Sequence, residues 1–134
     1  MKFNTLLPEL SVSDINASKE FYTLLGFVVM YERKASNFAF IQREESQIML
    51  QQGGAEWFIK KPEYPFGNGI NFQIEIKGVK QLYEKVKDKV KIFKPLFIDT
   101  YKCDKVSYTE IQFIVADPDG YLLRFSEVVE ERNE

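Results

Sequence analysis

The feature that most constrains the fold is a pair of amphipathic helices, each preceded by one strand-like run and followed by three. The first helix is predicted over residues 14–25, with Ser13 or Asp14 as its N-cap and Gly26 as its stop. The second follows Gly78, where apolar residues share one face and lysines cover the other. Each helix therefore has one apolar stripe to bury against a neighbouring surface.

Eight short runs around these helices have strand character. In the clearest, residues 70–76, isoleucine and phenylalanine alternate with Asn71, Gln73 and Glu75, so one face is apolar and the other polar. The tripeptide Pro118-Asp119-Gly120 predicts a tight hairpin turn, because proline fixes its entry and glycine tolerates positive φ. The predicted strands cover residues 6–11, 27–33, 38–43, 47–52, 70–76, 91–97, 109–116 and 121–128.

The element order is β-α-β-β-β written twice, and it predicts an α+β fold. We expect a single domain over residues 1–134, with modules at about 1–53 and 69–134 and a linker at about 54–68. Each module would form a curled mixed sheet with its helix on the apolar face, and the other face would line a groove. Loops are expected at 53–69 and 99–107, and the acidic tail 127–134 is expected to fray.

Composition excludes several classes of function. The chain has 134 residues, 45% of them hydrophobic and 28% charged, with a net charge of -2, so it lacks the positive field that holds nucleic acid. It has no histidine, which excludes histidine-based triads and metal centres. Its single cysteine, Cys103, permits no internal disulfide and is given no catalytic role. No apolar run resembles a signal peptide or a membrane span, so we expect a cytoplasmic protein.

Two segments resemble the vicinal oxygen chelate superfamily, which includes glyoxalases, extradiol dioxygenases and bleomycin resistance proteins. Residues 10–27, LSVSDINASKEFYTLLGF, are similar to its first strand and helix. Residues 116–125, ADPDGYLLRF, are similar to the hairpin before its last strand. The resemblance covers nearly the whole chain and implies the superfamily's paired-module fold, but says less about activity.

Metal-using members of that superfamily hold a divalent ion with four side chains, in most cases His or Gln and Glu. The matching positions here are Leu7, Met49, Asn71 and Arg124. None is a normal ligand of such a site, and Arg124 would put a fixed positive charge where the ion would sit. We therefore expect no metal and no cofactor, which removes the glyoxalase I, dioxygenase and metal-dependent fosfomycin-modifying activities.

The remaining branch is the metal-free bleomycin resistance proteins, which bind the drug in a groove without altering it. Pro8 matches the proline at which their first strand crosses to the partner subunit, so the resemblance implies a strand-exchanged homodimer. Phe38 matches an aromatic that stacks on the drug, and Tyr108 falls where a second stacking aromatic is found. Arg124 could pair with Glu9 or Glu110, or could receive an anionic group of the ligand.

Three functions follow as hypotheses. The first is a metal-free binding protein of the bleomycin resistance type that sequesters a planar or amphipathic small molecule, such as a bleomycin-like antibiotic. The second is a metal-independent lyase or isomerase that uses Glu75, Glu110 or Tyr108 as acid or base. The third is a protein-binding module, favoured only if the groove is filled by its own side chains. The expected ligand-binding residues are Leu7, Glu9, Phe38, Met49, Asn71, Gln73, Tyr108 and Arg124.

Overall fold

A computed structural model describes all 134 residues, and the chain divides into two compact units. Unit 1 spans Met1–Phe66 and unit 2 spans Gly67–Glu134. The boundary falls inside the segment that the sequence marks as a linker. Each unit contains one four-stranded mixed sheet and one principal helix, in the order β-α-β-β-β. The predicted α+β fold is confirmed.

Unit 1 has the sheet order β1-β4-β3-β2, with β1 parallel to β4 and the other neighbours antiparallel. Short 3-10 turns follow β2 and β4. The elements are β1 Glu9–Val12, α1 Ile15–Leu24, β2 Val28–Arg33, β3 Phe38–Arg43 and β4 Ser46–Gln52.

The start and end of α1 follow the sequence signals. Asp14 is the N-cap, and its Oδ1 accepts hydrogen bonds from the backbone N–H groups of Asn16 at 3.0 Å and Ala17 at 3.2 Å. Gly26 follows the helix with a φ of 91°, a conformation that favours glycine. The helix buries Phe21, a member of the predicted apolar stripe, and also Tyr22, which was not predicted to belong to it.

Unit 2 has the sheet order β5-β8-β7-β6, with β5 parallel to β8 and the other neighbours antiparallel. The β7–β8 turn closes with a hydrogen bond from Gly120 N–H to the Asp117 carbonyl, which confirms the predicted hairpin. The elements are β5 Asn71–Glu75, α2 Val79–Val86, β6 Lys91–Cys103, β7 Val106–Ala116 and β8 Leu122–Asn133.

The helix α2 is held against its sheet at both ends. Its N-terminal Val79 N–H donates to Glu127 Oε1 in β8 at 3.1 Å, and Val79 and Val86 are fully buried. In β5, Ile74 is buried while its neighbours Gln73 and Glu75 are exposed, so the predicted alternation holds within the strand. Ile70, predicted on the apolar face, precedes the strand and is 54% exposed. The longer helix of the chain has ten residues, and neither principal helix has the length and apolar character to cross a membrane.

Two sequence expectations are wrong, and both concern exposed polar segments. Residues 99–107, predicted as a loop, extend β6 and β7 around a turn at Asp104. Residues 127–134, predicted to fray, continue β8 as far as Asn133 beside β7. Cross-strand contacts hold this extension, including the Thr100–Thr109 hydroxyl pair at 3.1 Å. Polarity suggested loops because an exposed strand lacks the apolar alternation of a buried one.

Candidate functional site

The face of each sheet turned away from its helix, called here the helix-distal face, carries most of the residues that the sequence singles out. In unit 1, Glu9 lies beside Met49, and Met49 lies beside Phe40. Phe38 is two positions before Phe40 on the same strand and therefore shares this face. Leu7 precedes β1, which begins at Glu9 rather than at residue 6. The structure thus places Glu9, Phe38 and Met49 on one face.

Aromatic rings cover much of the helix-distal face of unit 1. Tyr31 stacks on Phe40 with ring centroids 5.2 Å apart and an interplanar angle of 12°. Phe38 lies 5.9 Å from Tyr31, and the Arg33 guanidinium carbon lies 3.9 Å from the Phe38 centroid. Phe38 is only 4% exposed. The ring that the sequence assigns to ligand stacking is therefore already covered by Arg33 and Tyr31.

The N-terminal segment reaches one end of this face through Gln47. The backbone N–H of Asn4 donates to Gln47 Oε1 at 2.7 Å, and Gln47 Nε2 donates to the Lys2 carbonyl at 2.8 Å. The edge of the Phe3 ring meets Phe40 at 5.4 Å. Residues 2–4 therefore occupy part of the face, which was not predicted from the sequence.

The helix-distal face of unit 2 is more polar. Arg124 Nη2 donates to Gln73 Oε1 at 2.7 Å, and Gln73 Nε2 donates to Ser126 Oγ at 3.1 Å. Arg124 thus pairs with a neutral amide and with neither of the carboxylates considered from the sequence. Its Nε is buried without a hydrogen-bond partner. Asn71 is exposed two positions before Gln73 on the same face.

A second polar cluster on this face surrounds Glu110, which is 5% exposed. The Tyr101 hydroxyl donates to Glu110 Oε1 at 3.2 Å, and Gln112 Nε2 donates to Oε2 at 2.9 Å. Tyr101 also stacks on Tyr108, with centroids 5.5 Å apart. Desolvation, and then the adjacent Glu110 carboxylate, raise the pKa of Tyr101.

Sequence reasoning placed Glu110 and Tyr108 among its candidates but missed Gln112 and Tyr101. The signal for Gln112 was available, because Tyr108, Glu110 and Gln112 stand at alternate positions and so share one face of β7. Tyr101 could not be found in the same way, because the segment that contains it was predicted to be a loop. Only the β6–β7 register, which sets Tyr101 opposite Tyr108, brings it to the cluster.

The donor groups at the family's metal positions do not fit a divalent ion. Leu7 has no donor atom, Met49 offers only a soft thioether, and Arg124 is a fixed cation hydrogen-bonded to Gln73. Asn71 would be left as a lone neutral amide. No three His, Cys, Asp or Glu side chains gather anywhere in the chain as a metal-binding group. No chemical step is therefore assigned to a metal.

A separate concavity of about 310 Å³ lies beside the start of α1. It contains none of the predicted site residues. Its one carboxylate, on Glu32, is paired with Lys19 at 3.3 Å and with Lys34 at 3.6 Å. The lining residues are Ile15, Asn16, Lys19, Glu32, Lys34 and Asn37.

No family model matches the chain, and no curated protein matches it significantly. Among solved structures, a glyoxalase/bleomycin resistance protein/dioxygenase superfamily member from Vibrio splendidus is 33% identical, covering 92% of this chain and 97% of its own, with a TM-score of 0.44. A glyoxalase/bleomycin resistance protein/dioxygenase from Alicyclobacillus acidocaldarius is 18% identical, covering 95% and 92%, with a TM-score of 0.67. TioX from a Micromonospora species is 16% identical, covering 93% and 98%, with a TM-score of 0.68.

The two structures with the higher TM-scores have the fold described above. These findings agree with the strand-helix and hairpin motifs at residues 10–27 and 116–125. The chain has the fold of the glyoxalase/bleomycin resistance protein/dioxygenase superfamily, to which its structure neighbours belong.

Proposed function

We propose that this chain is a metal-independent binding protein that sequesters a small planar or amphipathic molecule without altering it. The observation that carries the proposal is a stacked aromatic pair on the helix-distal face of each sheet. Tyr31 pairs with Phe40 in unit 1, and Tyr101 pairs with Tyr108 in unit 2. Stacking on such rings contributes about 0.5–1.5 kcal/mol per contact beyond the burial of area.

Polar groups elsewhere on the same faces would orient the ligand. The Arg124–Gln73–Ser126 row offers hydrogen bonds on unit 2, and the buried Arg124 Nε lacks a partner. On unit 1, Arg33 and Tyr31 cover Phe38, so a ligand would meet them first. The proposed lining keeps the sequence-derived residues Leu7, Glu9, Phe38, Met49, Asn71, Gln73, Tyr108 and Arg124.

A homodimer is part of the proposal, on the strength of the family resemblance around Pro8. In the structure, the Pro8 carbonyl accepts a hydrogen bond from the Met49 N–H of the same chain at 2.9 Å. Strand exchange would replace this contact with the same one from a partner subunit. Light scattering on the purified protein tests the dimer, and a mass of one chain at all concentrations would refute it.

The test of the function is calorimetric titration of metal-free bleomycin into the purified chain with a chelator present. We expect saturation at one drug per chain with a dissociation constant near or below about 1 μM, or roughly -8 kcal/mol. Tyr108→Ala should weaken binding, whereas Glu20→Gln, a change on the exposed side of α1, should not. Absence of binding, or binding only after a divalent metal is added, would contradict the proposal.

The second candidate is a metal-independent lyase or isomerase, and the position of Glu110 favours it. A carboxylate that is 5% exposed and hydrogen-bonded to the Tyr101 hydroxyl has the surroundings of a general acid or base. The other carboxylate considered from the sequence, Glu75, is exposed. Catalysis would appear as conversion of the bound molecule to product, with Glu110→Gln abolishing turnover but retaining binding. Unchanged ligand after prolonged incubation would favour sequestration.

A further inference from the structure

We propose that Glu110, Gln112 and the Tyr101–Tyr108 pair form a subsite for a cationic nitrogen group, an amidinium or ammonium, of the bound small molecule. The inference rests on the proposed function and specifies the ligand class that one part of the site would take. It concerns unit 2 alone, where these four side chains share the helix-distal face of the sheet.

The first observation is a buried carboxylate with neutral partners only. Glu110 receives hydrogen bonds from the Tyr101 hydroxyl and the Gln112 amide. None of the ion pairs of the chain involves it. Burying a charge is costly unless an opposite charge compensates for it. A ligand cation would supply the compensation that the chain itself lacks.

The second observation is an acceptor left without a donor. Gln112 is 2% exposed, and its Oε1 has no hydrogen-bond partner. The Nε2 of the same amide group donates to Glu110, so the unpartnered Oε1 also lies close to that carboxylate. An amidinium or ammonium group carries several N–H donors and no acceptor, so one ligand nitrogen group could satisfy both residues.

The surroundings favour a cation over a neutral donor. Asp99 stands directly opposite Glu110 in the β6–β7 ladder, and like charges in that relation destabilise the pair unless a cation lies near. The stacked rings of Tyr101 and Tyr108 add faces of negative potential. Lys94 also belongs to this sheet, but its ammonium nitrogen lies 3.8 Å from the Phe97 ring centroid and not at Glu110.

Access to the subsite would pass through Tyr101. Tyr101 is 42% exposed, whereas Glu110 is nearly covered. The Tyr101 hydroxyl donates a hydrogen bond to Oε1 of the carboxylate. A ligand nitrogen would take the place of that hydroxyl. Removing the hydroxyl while keeping the ring, as in Tyr101→Phe, should therefore strengthen binding of a cation.

The test compares two probes of nearly equal shape, benzamidine, which is cationic at neutral pH, and benzamide, which is neutral. Binding to the whole chain is followed by nuclear magnetic resonance titration. We expect benzamidine to bind at least about tenfold more tightly than benzamide, since only the cation adds charge–charge attraction to its hydrogen bonds with the Glu110 carboxylate. Equal affinity of the two probes would overturn the inference, and this comparison needs no variant.

Variants then show which residues cause the preference for the cationic probe. Glu110→Gln should remove the preference for benzamidine over benzamide, Gln112→Leu should reduce it, and the matched control Glu20→Gln should preserve it. An unchanged preference in Glu110→Gln would place the cation elsewhere and refute the subsite. Failure of both probes would also refute it, while the bleomycin titration would still decide the proposed function independently.

Discussion

At the scale of single residues, the surroundings of Phe38 change the role expected of its ring. The ring is 4% exposed and lies between the Arg33 guanidinium and the Tyr31 ring. A side chain buried to this extent contributes to the core of unit 1 whether or not a ligand is bound. Its contributions to stability and to ligand binding can be separated by two substitutions of different volume.

Phe38→Ala should lower the free energy of unfolding by about 3–5 kcal/mol, because it leaves a cavity under Arg33. Phe38→Leu keeps most of the volume and should cost less than about 1.5 kcal/mol. Urea denaturation measures both. If the ring also stacks on a ligand, Phe38→Leu weakens bleomycin binding despite its small effect on stability. A loss below about 1 kcal/mol in Phe38→Ala would show that the ring is not part of the core.

Tyr101 gives a prediction about alkaline pH. Desolvation and Glu110 raise its pKa, so the folded chain retains the phenol proton more strongly than the unfolded chain does. This contribution to stability is complete below the ordinary tyrosine pKa and is lost as pH rises through the raised value. Ultraviolet absorbance titration should show a late phenolate transition that disappears in Tyr101→Phe.

Glu110→Gln should move that late transition of Tyr101 to lower pH, because the neighbouring negative charge is gone. The pKa of Tyr101 should fall only part of the way to its ordinary value, because desolvation is the larger cause of the raised pKa and remains in the variant. If Tyr101→Phe lowers only the overall amplitude of the titration curve and removes no late step, the late transition does not belong to Tyr101.

At the scale of elements, the N-cap of α1 is a local feature whose contribution can be measured. Asp14→Ala removes the acceptor of two backbone N–H groups and should cost about 1 kcal/mol of stability. Asp14→Asn keeps a side-chain oxygen at the same position and should cost much less. Denaturation of the two variants under the same conditions is the measurement, and equal losses would mean that the charge, not the cap hydrogen bond, matters.

The elements that could be predicted from the sequence are those whose signals are local. Asp14 and Gly26 bound α1, the alternation over 70–76 identifies β5, and Pro118-Asp119-Gly120 marks the β7–β8 turn. The extension of β6, β7 and β8 could not be predicted in the same way. Its strands are exposed and polar, and they are held by pairing with partners distant in sequence.

The candidate site likewise contains residues that could be predicted from the sequence and contacts that could not. Tyr108 could be chosen from the family resemblance, and alternation along β7 puts Glu110 on the same face. The cover that Arg33 provides over Phe38 depends on the β2–β3 register, and the contact of Tyr101 with Glu110 depends on the β6–β7 register. Register is set by the whole sheet, so neither contact can be inferred from a short segment.

At the scale of the whole molecule, the two units repeat one architecture with different chemistry on their helix-distal faces. Unit 1 presents rings and the N-terminal segment that contacts Gln47, whereas unit 2 presents amides, Arg124 and the buried Glu110. Folding requires the helix-side core in both units, whereas the exposed positions of the opposite faces can vary more freely. None of the residues at the family's four metal positions is a usual metal ligand, so we expect the entire chain not to respond to metals.

Addition of Mn²⁺, Ni²⁺ or Zn²⁺, or of a chelator, should leave the thermal unfolding midpoint of this chain unchanged. An ion that bound the folded state would stabilise it by about 2.7 kcal/mol at a concentration one hundred times its dissociation constant, so binding would be visible as a raised midpoint. The positive control introduces donors at the two family positions that lie on neighbouring strands of unit 2, with Asn71→His and Arg124→Glu. That variant should gain a metal-dependent rise. A rise in the unaltered chain would show that other side chains bind the ion and would remove the basis for metal-independent binding.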